Sequence, residues 1–322
     1  MDIDMAALRI IERDKDIPLA LLVSTIEDAL LNAYSKLPDA HEGAHVTLDK
    51  KTGRVAVMVP ELDDEDNVIG EYDDTPSDFG HVATATARQV IVQRLREADD
   101  DAKFGHFSGV EGDVVSGIVQ QDAESRGTVR VDLGTIEALL PQAEQSPGET
   151  YTHGQRLRVY VVSVRKDIRG PQIIVSRTHP NLVKQLFAQE VPEIAKGVVE
   201  IKAIAREAGH RTKIAVFSHD ANVSAKGAFI GPMGQRVRTV IAELNEEKID
   251  IVDYSDDPAT FIANALSPAR VTSVTVVDEL TRTARIVVPD YQLSLAIGRE
   301  GQNARLVARL TNWRIDIHSD TE

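Results

Sequence analysis

The sequence predicts a multidomain α+β protein: an α/β N-terminal domain, a small β-barrel, and two tandem copies of a further α/β unit. Three observations lead there. Helical periodicity gives way to strand alternation within residues 1–103. About five short apolar strands, punctuated by glycine and proline, then follow over residues 104–179. Finally, a glycine turn recurs. Gly231-Pro232-Met233-Gly234 and Gly298-Arg299-Glu300-Gly301 lie 67 residues apart, and Ile249-Asp250-Ile251 and Ile315-Asp316-Ile317 lie 66 apart. Two matching offsets define a duplicated unit, not chance glycines.

Residues 4–13 and 18–36 read as helices. In the second, Leu22, Ile26, Ala29, Leu30 and Ala33 share a face, and Pro18 suits the first turn. Alternation over 45–48 and 54–59 reads as a hairpin around the turn at 49–53. Asp63-Asp64-Glu65-Asp66-Asn67 reads as a charged turn. Residues 81–98 return to helix, carrying Val82, Ala85, Val90, Ile91 and Leu95, and Asp99-Asp100-Asp101 closes the domain.

Strands over 113–119, 128–133, 156–164 and 172–176 suggest a barrel of the OB type. From Pro180 the order is helix, strand, strand, short helix, glycine turn, helix, strand, and it then repeats. The strands are 198–205, 212–217 and 249–254, then 271–277, 284–288 and 314–318. Asp256-Asp257-Pro258 joins the copies and is short, so the two are expected to pack as one body. The expected domains are 1–103, 104–179, 180–255 and 256–322.

Hydrophobic residues make up 42% of the 322, but aromatics only 4%, so the cores are built from Val, Ile, Leu and Ala. That suits several small domains. The chain has no cysteine, which excludes disulfides and thiolate metal sites and fits a reducing compartment. No apolar run approaches the roughly 20 residues of a membrane span. Met1-Asp2-Ile3-Asp4 carries acid where a secretory signal carries base. A soluble cytoplasmic protein, without membrane contact, is expected. The net charge of −15 is uneven: −12 over 1–103, −1 over 104–179 and −2 over 180–322. An acidic domain suits a basic protein surface, while a near-neutral body can still carry a local cationic face.

A G-x-x-G turn between two helices lets a nucleic-acid backbone approach the main chain with no Cβ in the way. The following helix offers N–H groups and a positive dipole end to phosphate. Helix, two strands, helix pair and strand is the order of a type II KH unit, and KH domains clamp about four nucleotides in this way. The candidate RNA-binding residues are therefore Gly231, Pro232, Met233, Gly234, Gln235, Arg236 and Arg238 in the first copy. In the second they are Gly298, Arg299, Glu300, Gly301, Gln302, Asn303 and Arg305. Pro232 lacks an N–H, so the first turn offers one donor fewer. Arg236, Arg238, Arg299 and Arg305 would add charge-assisted contacts. If all four neutralise phosphates, log affinity against log salt should slope at about −3. Bases would lie against Ile230 and Ile297.

His41-Glu42-Gly43-Ala44-His45 matches the H-E-x-x-H zinc motif, but the context fails. Pro38 precedes it, Gly43 interrupts it, and His45 begins a strand, so the two histidines share no helical face. Asp63–Asn67 lacks the glycine and final glutamate of a calcium loop. There is no P-loop and no nucleophile elbow. No catalytic residue, metal or cofactor is expected. Tyr160 and Phe107 are candidates for base stacking on the barrel, and Trp313 reads as core.

More specific runs remain: Ser176-Arg177-Thr178, Glu190-Val191-Pro192-Glu193-Ile194, Val199-Glu200-Ile201-Lys202-Ala203-Ile204-Ala205-Arg206-Glu207 and Arg211-Thr212-Lys213-Ile214-Ala215-Val216. Ala87-Arg88-Gln89-Val90-Ile91 adds an N-terminal helix segment. With these the chain closely resembles the NusA family of bacterial transcription factors, over its whole length and in the order N-terminal domain, S1, KH, KH. The resemblance implies a non-enzymatic RNA-binding elongation factor. Its N-terminal domain would dock on RNA polymerase near the RNA exit channel. Its S1–KH–KH body would guide nascent single-stranded RNA, modulating pausing, termination and antitermination. Many S1 domains carry strand aromatics where this one has Leu139-Leu140-Pro141, so weak RNA affinity is expected of the barrel itself. A monomer is expected, with room for other transcription factors as partners. Two alternatives stay open. One is a ribosome-associated KH protein, which should be strongly basic. The other is an RNA-degrading enzyme with S1 and KH modules, which should place KH before S1 beside a large catalytic core.

Overall fold

Apolar spacing in the first third builds helices α1 (Met5–Lys15) and α2 (Leu19–Tyr34). Leu22, Val23, Ile26, Leu30 and Tyr34 line the buried face of α2, and Pro18 stands just before its first turn, not within it, with no side-chain cap. The computed structural model describes residues 3–15, 17–63, 68–77, 79–120, 127–167 and 170–321. They gather into two compact units, 1–105 with 167–171, and 106–166 with 172–322.

In the first unit, β1 (His45–Leu48), β2 (Val55–Leu62) and β3 (Val68–Asp73) form an antiparallel sheet with β2 central. The sequence reading missed β3. Its Val68, Ile69 and Tyr72 are exposed, so the strand lacks the alternation that marks a half-buried one. Most of the charged turn expected at 63–67 lies outside the described residues. Helix α3 (Phe79–Ser108) runs on through Asp99-Asp100-Asp101, where the sequence reading ends it. An i,i+4 pair, Lys103 to Asp99 at 2.8 Å, favours helix through that run. The buried stripe of α3 is Phe79, Ala83, Ala87 and Val90, while Val82 faces solvent. His41 lies in a turn and His45 in β1, so the H-E-x-x-H residues are not on a helix.

The second unit opens with five strands closed into a barrel: β4 (Val114–Gln120), β5 (Val129–Asp132), β6 (Glu137–Leu140), β7 (Arg156–Asp167) and β8 (Gly170–Ser176). Their order is β4-β5-β6-β8-β7, as the OB-type expectation requires, with β6 and β8 parallel. Val119, Val131, Ala138, Leu140, Val159 and Ile173 are among the side chains filling it.

Helices α4 (Pro180–Glu190) and α5 (Pro192–Ala195) lead into β9 (Val199–Glu207) and β10 (Arg211–Ser218). Then come α6 (Ala225–Ile230), α7 (Gln235–Glu243) and β11 (Lys248–Asp253). The sheet order is β11-β10-β9, with β10 parallel to β11 and antiparallel to β9. The arrangement repeats as α8 (Pro258–Ala265), β12 (Ser273–Asp278), β13 (Thr283–Val288), α9 (Asp290–Ile297), α10 (Gln302–Thr311) and β14 (Arg314–Ser319). Asp257 ends the joint as the N-cap of α8, accepting from Thr260 N at 2.9 Å, and Pro258 follows at the first helical position. The two copies share one core: Ala205, Ala215 and Val252 of the first pack with Phe261, Ile262, Leu306 and Leu310 of the second.

Candidate nucleic-acid interface

Both glycine turns are built the same way. Ser224 caps α6, its hydroxyl accepting from Gly227 N at 3.1 Å, and α6 stops at Gly231 with φ +71° and ψ 174°. The chain crowns at Met233 (φ 53°, ψ 21°), then enters α7 through Gly234 (φ 73°, ψ 17°). In the second copy Gly298 has φ 78° and ψ 171°, Glu300 φ 53° and ψ 26°, and Gly301 φ 74° and ψ 13°. Nearly identical backbones from different intervening residues mean that the glycines, not Pro232-Met233 or Arg299-Glu300, set the shape. Neither α7 nor α10 has a side-chain cap at its N-terminus. Uncapped first-turn N–H groups and the dipole end there suit an anion.

The two glycines of each turn do different work. A Cβ on Gly298 would sit 2.8 Å from Asn303 Cβ and N, and one on Gly231 would sit 2.6 Å from Arg236 Cγ. These first glycines let the turn lie against the next helix. A Cβ on Gly234 or Gly301 would meet only the guanidinium of Arg238 or Arg305, each at 3.6 Å. The second glycines are bordered only by that side-chain tip, at ordinary van der Waals distance, so a ligand backbone could come close.

The side chains divide less evenly than their spacing suggests. Met233, Arg299 and Glu300 are 90%, 92% and 84% exposed for residue or side chain, and Pro232, Gln235 and Arg238 are exposed too. Arg238 forms no ion pair within 4 Å among the described residues. Arg236 instead turns inward, donating from Nη1 to Glu193 at 2.9 Å and to the Ala228 carbonyl at 2.7 Å. Asn303 is buried, its Nδ2 donating to the Ala296 carbonyl at 2.9 Å, so it fastens α10 to the end of α9. Gln302 and Arg305 both reach Glu207, at 2.9 Å and 3.1 Å. Glu193 and Glu207 were invisible as partners from sequence. Both lie far along the chain from the arginines they hold, and no local spacing marks such a contact.

Ile230 is half-buried in the core of the first copy, and Ile297 is exposed at the edge of the second turn. Of the two stacking candidates expected on the barrel, Tyr160 on β7 is taken up inside the fold, and Phe107 lies on α3 and not on the barrel. Tyr160 is buried and stacks on His179 at 4.3 Å between centroids and 11° between planes. Phe107 is buried, and Trp313 packs against the core of the second copy.

A five-stranded S1-type barrel followed by two α/β units with matched G-x-x-G turns defines a multidomain RNA-binding protein of the S1–KH–KH class. Family models agree segment by segment. They match a NusA N-terminal domain over residues 5–61, an S1 RNA binding domain over 110–176, a NusA-like first KH domain over 177–254 and a NusA-like second KH domain over 258–322. The chain belongs to the NusA family. It is 58% identical over 326 residues to the transcription termination/antitermination protein NusA of Mycobacterium tuberculosis, covering 99% of this chain and 94% of that one. The protein of the same name from Bacillus subtilis is 45% identical, covering 98% and 90% of the two chains. That from Thermus thermophilus is 39% identical, covering 97% and 88%.

Proposed function

We propose that this chain is an RNA-binding transcription factor that acts in termination and antitermination, as the names of its relatives state of them. Its acidic N-terminal domain docks on RNA polymerase, and its S1–KH–KH body holds nascent single-stranded RNA. The observation that carries this reading is the pair of matched turns, each with a second glycine bordered only by an arginine tip at an uncapped helix start. A phosphate laid on each turn would meet the first-turn N–H groups of α7 or α10, with Arg238 and Arg299 beside it. Bases would lie against Ile230 and Ile297. The buried Tyr160 and Phe107 support a barrel that contributes little stacking of its own.

The charge distribution supports the division of labour. A domain of net charge −12 would be drawn to a basic protein surface and would repel RNA, while the remainder is close to neutral. Tethering on polymerase raises the effective RNA concentration at the two turns, so modest intrinsic affinity suffices. The factor works as a monomer in this reading, and nothing in it requires catalysis. Among the described residues no helix is long and apolar enough to cross a membrane.

The test is crosslinking of RNA emerging from a stalled polymerase, mapped by residue on the full chain. Crosslinks at 231–238 and 298–305 are expected, with polymerase crosslinks in the N-terminal domain. RNA crosslinks confined to residues outside both turns, or association with ribosomes but not polymerase, would contradict the proposal.

A further inference from the structure

Helix α10 presents Gln302, Arg305 and Arg309 on one face, spaced three and four residues apart. All three converge on Glu207, the last residue of β9 in the first KH copy. Gln302 Nε2 donates to Glu207 Oε2 at 2.9 Å, Arg305 Nε to Oε1 at 3.1 Å and Arg305 Nη2 to Oε2 at 3.4 Å. Arg309 Nη1 lies 4.0 Å from Oε1. Burial alone would raise the Glu207 carboxyl, but the hydrogen bonds from Arg305 and Gln302 outweigh it and hold the group below the usual carboxylate range. Arg305 Nη1 is engaged as well, donating to the Glu300 carbonyl at 2.5 Å. Every nitrogen of the Arg305 fork therefore has a protein acceptor, and one of those acceptors is the crown of the second turn itself. Arg236 is held through one nitrogen, Nη1, which donates to both Glu193 and the Ala228 carbonyl. Arg238 and Arg299 are not held in this way. The nearest carboxylate oxygen to Arg299 is that of its neighbour Glu300, at 4.0 Å with both side chains in solvent.

We propose that the four arginines of the turns divide into two clamps, Arg236 and Arg305, and two phosphate ligands, Arg238 and Arg299. Glu207 is the positioning residue that braces the second turn from the first KH copy. This rests on the RNA-binding reading above. With its charge already met by Glu207, and three of its five N–H groups engaged, Arg305 has little net charge left to offer a phosphate. What Arg305 does instead is tie the crown at Glu300–Gly301, whose shape the glycines allow, to Glu207 of the first copy. The first copy thereby sets the competence of the second. Two phosphate-facing arginines in place of four imply a salt slope of about −1.4 from these groups, not about −3.

The experiment measures affinity of the full chain for a single-stranded oligoribonucleotide across a salt series, with thermal denaturation of each variant as the folding control. Arg238→Ala and Arg299→Ala should each reduce the magnitude of the slope by about 0.7. Arg305→Ala should weaken binding roughly fivefold with the slope unchanged, in the usual range of coupling between sites. Arg305→Lys should not rescue it, because an ammonium cannot span Glu207 and the Glu300 carbonyl as the planar fork does. Glu207→Gln should weaken binding in the same way. The inference is overturned if Arg305→Lys binds like the unaltered chain while Arg305→Ala loses about 0.7 of slope. It is equally overturned if Glu207→Gln tightens binding, since that would make the carboxylate a competitor for Arg305. Absence of RNA binding by the unaltered chain would remove the RNA reading and this inference together, whereas normal binding with the wrong variant pattern removes this inference alone.

Discussion

Arg177 and Glu149 form an ion pair, Nη2 to Oε1 at 2.6 Å, with 1% and 6% of their side chains exposed. Arg177 follows β8 of the barrel and also donates to the carbonyls of Arg158 and Glu243, each at 2.7 Å. Glu243 ends α7, so one guanidinium ties the barrel to the first KH copy. Glu149 accepts in addition from the Tyr151 hydroxyl at 2.8 Å.

Breaking this pair from one side should be costly. Arg177→Ala leaves Glu149 buried without its partner, and a loss of about 3–5 kcal/mol is expected in chemical denaturation. Replacing both partners with apolar residues, Arg177→Met with Glu149→Leu, should recover much of that loss, since no buried charge is then stranded. A single variant as stable as the unaltered chain would show that the pair is not what joins barrel and KH copy.

His179 should make the same junction sensitive to acid. Its Nδ1 accepts from Asn181 N at 3.1 Å, capping α4, and its ring stacks on Tyr160. The cap requires a neutral ring. Burial holds the group below the usual histidine range; Arg206 adds to this and Glu144 opposes it. With the folded pKa below the unfolded one, the unfolded chain binds more protons between the two values, so stability rises with pH across that window. Stability should therefore fall as pH drops below about 6.5 toward the folded pKa, then level off. His179→Asn keeps a capping side chain and removes the titration. Its denaturation midpoint should change less than that of the unaltered chain between about pH 7.5 and about pH 5.5. Equal changes in both would assign the acid sensitivity elsewhere.

The two glycines of each turn should respond differently to alanine. Gly298→Ala places a Cβ 2.8 Å from the Asn303 backbone at φ +78°, so strain and collision add. Gly301→Ala meets only the Arg305 guanidinium, in ordinary van der Waals contact at 3.6 Å, and incurs mainly the left-handed backbone penalty. About 1–2 kcal/mol is expected at Gly301, with a larger loss at Gly298. Thermal denaturation of the two single variants checks the order, and the reverse order would contradict it. Gly301→Asp is accordingly a cleaner probe of RNA binding than any change at Gly298.

What could be read from sequence follows from where the information is local. The face of α2, the alternation in β2 and the repeated glycine turns are patterns within a few residues, and the structure repeats them closely. β3 escaped because Val68, Ile69 and Tyr72 face solvent, so burial imposes no period on it. The end of α3 escaped because Asp99-Asp100-Asp101 reads as a terminator, although its carboxylates accept helical geometry when Lys103 stands one turn on. The turn glycines were legible because they recur at one spacing, and each sits at a positive φ that is costly for a residue with a Cβ. The fates of Arg236 and Arg305 were not, because Glu193 and Glu207 decide them from other elements.

The central claim is that RNA lies on the exposed main chain of both turns. The amide resonances of Met233, Gly234, Glu300 and Gly301 test it directly during titration of the full chain with a single-stranded oligoribonucleotide. The account predicts that these four shift together and saturate at the affinity measured independently, while amides in the β1-β2-β3 sheet stay still. Saturable binding with shifts confined to the barrel or the N-terminal domain, and the four turn amides unmoved, would contradict it.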